Sequence, residues 1–61
     1  MNLNFHGELT PGVFVVNEDK EKEWGLGQVQ SSINDKVTIN FENVGKKTIN
    51  PFKIKLKIVK I

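Results

Sequence analysis

From Trp24 to Phe41 the chain leaves room for little except two paired β-strands. Val37, Ile39 and Phe41 fall on one parity, and Lys36, Thr38 and Asn40 on the other. That period of two marks a strand with one buried face. Asn34-Asp35 supplies the turn before it, because short Asx side chains bond their own backbone and tolerate left-handed dihedrals. The preceding strand carries Gly25 and Gly27, where a missing Cβ permits a bulge or a close backbone approach. With Val29 inward, Trp24, Leu26, Gln28 and Gln30 share the outward parity, unless the glycines shift the register.

The remaining segments repeat the theme. Met1, Leu3 and Phe5 alternate with polar residues, and Thr10-Pro11-Gly12 then punctuates a turn. Val13 to Asn17 is apolar on both parities, as in a strand buried on both sides. Asn17 to Glu23 reads as a charged loop with one helical turn. Lys46 to Ile49 is a short returning strand, with Ile49 inward, Thr48 outward and Lys47 snorkelling at the rim. Asn50-Pro51 ends it, since proline donates no ladder hydrogen bond. Phe52, Ile54, Leu56 and Ile58 then alternate with Lys53, Lys55 and Lys57, which predicts a lysine-bearing edge strand. The expected core is Val13, Val15, Val29, Val37, Ile39, Phe41, Ile49 and Ile54.

These segments imply an all-β fold, a small barrel of five to six short antiparallel strands. Sixty-one residues make a single domain, 1–61, with residues 1–8 as an N-terminal extension or extra strand. Pairing of that extension with the Phe52–Ile58 row would bury both apolar rows on one side. A chain of this size buries only about 60% of its unfolded surface, so its stability reserve is small. The chain has no cysteine, so neither a disulfide nor a thiolate zinc site can help.

Chemistry for catalysis is missing from the pattern. His6 is the sole histidine and lacks the partners a zinc ion takes. Gly25-Leu26-Gly27 lacks the third glycine and following helix of a dinucleotide site. Glu18–Glu23 lacks the alternating ligands and glycine of a calcium loop. A non-enzyme with no metal and no cofactor is expected. No stretch approaches the ~20 apolar residues of a membrane helix, and no secretory leader is seen, so a cytoplasmic protein is expected.

Charge is distributed unevenly. Residues 1–31 hold five acidic groups against two lysines, a net of −3, whereas residues 32–61 hold seven lysines against two acids, a net of +5. Every cation is lysine, so the bidentate fork that reads guanine edges is absent. Two binding surfaces follow. Gln28, Gln30, Thr38, Asn40, Lys46 and Thr48 would project from adjacent strands beside Trp24 and Leu26, a face suited to a protein partner. Alternatively, Lys46, Lys47, Lys53, Lys55 and Lys57 would contact phosphates with Trp24 stacking on bases, without sequence preference. Trp24 itself fits either a contact residue or a lid on the core.

The run Leu9-Thr10-Pro11-Gly12, Trp24-Gly25-Leu26-Gly27-Gln28-Val29, Val37 to Asn43 and Gly45-Lys46-Lys47 resembles a short bacterial family, the domain of unknown function 3553. The likeness spans roughly residues 9 to 59. It implies an SH3-like or Tudor-like barrel. More distantly the chain is similar to the Tudor-like tail of UvrD-type helicases and to the polymerase-interacting domain of CarD-type regulators. Those likenesses imply a module that docks on RNA polymerase, in transcription or repair. Internal pairing of the N-terminal strand favours a monomer, and its pairing with a second copy would instead make a homodimer. The chain lacks the helicase motor and the second, DNA-binding domain of CarD-type proteins.

Overall fold

In the computed structural model, which describes residues 9–60, the Asn34-Asp35 turn forms where the sequence places it. Asn34 takes a left-handed φ of 56°, which its short side chain tolerates. The turn joins β2 (Gly27–Ile33) to β3 (Lys36–Phe41). A second turn ends at Gly45, whose φ of 78° suits glycine, and starts β4 (Gly45–Ile49). Upstream lie β1 (Phe14–Asn17), a 3-10 turn (Glu18–Lys20) and α1 (Glu21–Trp24); downstream lies β5 (Leu56–Val59).

All five strands pair antiparallel in one sheet, in the order β4-β3-β2-β1-β5. The first four form a meander, and the last strand returns to pair with the first. The domain is all-β and barrel-like, wrapped about one core. Leu9, Val15, Val29, Val37, Ile39, Phe41, Ile49 and Leu56 fill that core, with Val13, Trp24, Ile54 and Ile58 packed around its border. Val13 and Ile54, expected inside, are thus only half-buried. Leu9 and Leu56 take the central places.

Between β2 and β3 the register shifts at Gln30. Val29 faces Ile39, whereas Ser31 faces Thr38, so one extra residue sits on β2. Such a bulge bends the strand and strengthens its twist, which helps a five-stranded sheet curl over a small core.

The predicted Phe52–Ile58 strand is not formed over its full length. Residues 51–53 form a turn and 54 a bend, and only Leu56–Val59 is strand. Local hydrogen bonds at Asn50 explain the difference. Its Oδ1 accepts from the Phe52 amide at 2.9 Å, and its carbonyl accepts from the Lys53 amide at 2.9 Å. This Asx turn gives the backbone a better partner than a ladder would. Pro51 is buried there while Phe52 stays 71% exposed, so the apolar period carries no facial meaning before Leu56. β5 pairs with β1, Leu56 facing Asn17 and Val59 facing Phe14. The N-terminal strand and its proposed pairing lie outside the described residues.

Asn17 is the buried polar residue among the described positions, at 4% exposure. Its Oδ1 accepts from the Asp19 amide at 3.0 Å and caps the 3-10 turn. Replacing Asn17 by alanine leaves that amide without its partner. The expected cost is about 1–2 kcal/mol, read as a lower urea midpoint with an unchanged slope.

Candidate protein-docking face

Three strands in register build the outward face. Gln28 on β2 stands opposite Asn40 on β3, and Asn40 stands opposite Lys46 on β4. All three are exposed. The neighbouring row holds Ser31, Thr38 and Thr48, and the two threonine hydroxyls hydrogen bond at 3.0 Å. Gln30 is exposed at the bulge. Six of the residues singled out in the sequence therefore belong to one curved polar surface. Phe14 on β1, the Cα partner of Gln28, continues the row on the far side and had no place in the expected site.

Leu26 joins the end of this face. It is half-buried and lines a shallow groove of about 390 Å³ with Phe14, Gln28, Asn40 and Glu42. Two hydrogen bonds hold it against the β3–β4 turn. Its amide donates to Glu42 Oε1 at 3.0 Å, and its carbonyl accepts from the Glu42 amide at 2.8 Å. Asn43 extends this clamp: its amide donates to the Trp24 carbonyl at 3.0 Å.

Trp24 does not share the outward parity assigned to it. It closes α1, and Gly25 follows with a φ of 78°, so the alternation counted back from Val29 breaks before reaching it. The indole packs against the core instead. Its ring meets Phe41 edge-on, with centroids 5.0 Å apart and planes at 65°. The Lys47 ammonium stands 5.0 Å over the indole centroid. Lys47 has the inward parity of β4, opposite Ile39, and reaches the rim through its aliphatic stem. Trp24 is a lid over the core. Replacing it by alanine is expected to cost about 1–2 kcal/mol from lost burial and the aromatic pair. A thermal melt of Trp24→Ala checks this.

The glycines of the Trp-Gly-x-Gly run are structural. A Cβ on Gly25 would lie 2.9 Å from Asn43 Nδ2 and 3.0 Å from Glu42 Oε1, inside the clamp. A Cβ on Gly27 would lie 2.6 Å from both Ile39 Cγ2 and Phe41 Cδ1. The run thus lets the chain pass between the β3–β4 turn and the core. The family model described as a protein of unknown function, DUF3553, matches residues 9–59.

The chain belongs to the DUF3553 family.

No curated protein and no solved structure matches the chain. Within the matched span, Trp24, Gly25, Gly27, Val37 and Phe41 all shape the core, its lid or the clamp beside it. The outward row is a separate layer on that frame.

The five lysines of the alternative surface are spread over the DUF3553 domain. Lys46 and Lys47 lie on β4, Lys53 and Lys55 in the connection after Pro51, and Lys57 on β5 at the other end of the sheet order. Lys46 points outward, whereas Lys47 is engaged over Trp24. Among the described residues no group of three His, Cys, Asp or Glu side chains could hold a metal, and no helix is long and apolar enough to cross a membrane.

Proposed function

We propose that this domain is a non-enzymatic docking module whose outward face, centred on Gln28, Asn40 and Lys46, binds a protein. The observation that carries the reading is the cross-strand row itself. Three polar side chains in register on three strands stand uncovered beside half-buried Leu26 and Phe14. A polar, hydrogen-bonding rim next to apolar anchors is the usual make-up of a protein interface. The distant resemblance read in the sequence is what points to RNA polymerase, or to transcription and repair proteins that travel with it, as the partner. The same face would operate from a monomer in the cytoplasm.

Nucleic-acid binding is the rival, and the geometry favours it less. A stacking tryptophan needs an open ring face, yet Trp24 has Phe41 at its edge and Lys47 above it. Binding of the domain to purified RNA polymerase separates the two. Wild-type protein is expected to bind, and joint replacement of Gln28 and Asn40 by alanine to weaken binding at least fivefold with the fold intact. Absence of polymerase binding, together with random-sequence DNA binding that falls steeply with salt, would establish the rival.

A further inference from the structure

Within the proposed docking face, the groove beside the polar row has a chemistry of its own. Gln28 Nε2 donates to the Gly12 carbonyl at 3.3 Å. A carbonyl only accepts, so the amide nitrogen must turn toward Gly12, and Gln28 Oε1 is left as an acceptor. Glu42 lies at the end of the same groove. One of its oxygens holds the Leu26 amide, yet a carboxylate has about four acceptor sites and retains its charge. Phe14 and Leu26 supply apolar walls, and both are half-buried. The groove thus offers acceptors, negative charge and an aromatic ring, while one N–H of Gln28 is already engaged by Gly12.

We propose that this groove receives an arginine side chain presented by the protein partner. A guanidinium is planar, rich in donors, weakly hydrated and able to stack on an aromatic ring, which matches Phe14, Gln28, Asn40 and Glu42 together. A lysine ammonium would find the carboxylate but gain less from the ring and the paired acceptors. A phosphate would meet the Glu42 charge. The 61 residues contain no arginine, so neither the chain itself nor a second copy of it can fill the groove. Lys46, the Cα partner of Asn40, stands outside the groove lining and opposes any cation entering it. That repulsion gives the proposal a sign that can be measured.

The inference rests on the docking function above, and its test is independent of the partner's identity. The labelled domain is titrated with a blocked Gly-Arg-Gly peptide and with its lysine counterpart, following the amide signals of Gln28 and Asn40 by NMR. The arginine peptide is expected to give saturable shifts, with the lysine peptide about tenfold weaker. Glu42→Gln keeps an oxygen for the Leu26 amide but removes the charge, and is expected to weaken the arginine peptide about tenfold. An unchanged Leu26 amide signal verifies that the clamp survives. Lys46→Gln is expected to tighten binding. Equal response to both peptides, no saturable shift, or weaker binding in Lys46→Gln would overturn the arginine assignment. Polymerase binding that persists in the wild type after such a result would leave the docking reading standing, and its absence would remove both.

Discussion

Replacing Phe41 by alanine is expected to unfold most of the protein at room temperature. The ring is 2% exposed and sits at the centre of the core, paired across the sheet with Gly27 on one side and Gly45 on the other. No side chain on either glycine can lean into the space the ring would leave. Its removal also takes away the edge-on contact that seats Trp24. Large-to-small changes of this kind cost about 3–5 kcal/mol. A domain of this length holds only about 3–9 kcal/mol in total, at roughly 0.05–0.15 per residue. Circular dichroism and tryptophan fluorescence should report the loss together, because the lid rests on the same ring. A Phe41→Ala protein with an unchanged urea midpoint would show that the ring is not a core element.

The legibility of this fold in its sequence follows from how local each signal is. Val37, Ile39 and Phe41 lie on an uninterrupted strand closed by two turns, so parity alone places them, and all three are buried. Thr38 and Asn40 are outward for the same reason. Trp24 looked outward because parity was counted through Gly25, and a positive φ there resets the count. Phe52 to Leu56 kept a perfect apolar period while the chain was turning, because Asn50 captures the Phe52 and Lys53 amides before a ladder can. Leu9 had no periodic neighbours, between Glu8 and Thr10, and nothing local announced that it fills the core. Phe14 was read as part of a doubly buried strand, and its share in the outward groove needed the pairing with Gln28. Side chains placed by one strand's alternation are thus readable, while those placed by a turn or by a distant strand are not.

Substituting alanine at Gly27 is the second change expected to have a large effect, and it tests the reading of the Trp-Gly-x-Gly run as a packing device. The added Cβ would lie 2.6 Å from Ile39 Cγ2, 2.6 Å from Phe41 Cδ1 and 2.7 Å from Phe41 Cε1. Those separations are well inside van der Waals contact, and both neighbours are buried, at 0% and 2% exposure, so neither can swing into solvent. The sheet must part or the ring must leave its rotamer. Overpacking of this sort costs about 1–3 kcal/mol, and the absence of any flexible neighbour places Gly27→Ala near the upper end. Shrinking the ring site relieves the conflict. Phe41→Leu alone should destabilise, but Gly27→Ala with Phe41→Leu should cost less than the two separately, with a coupling of about 1 kcal/mol or more. Urea melts of the four proteins in that cycle measure the coupling directly. Strict additivity would mean that the glycine serves a backbone need and that the close approach of β2 to Phe41 is not what demands it.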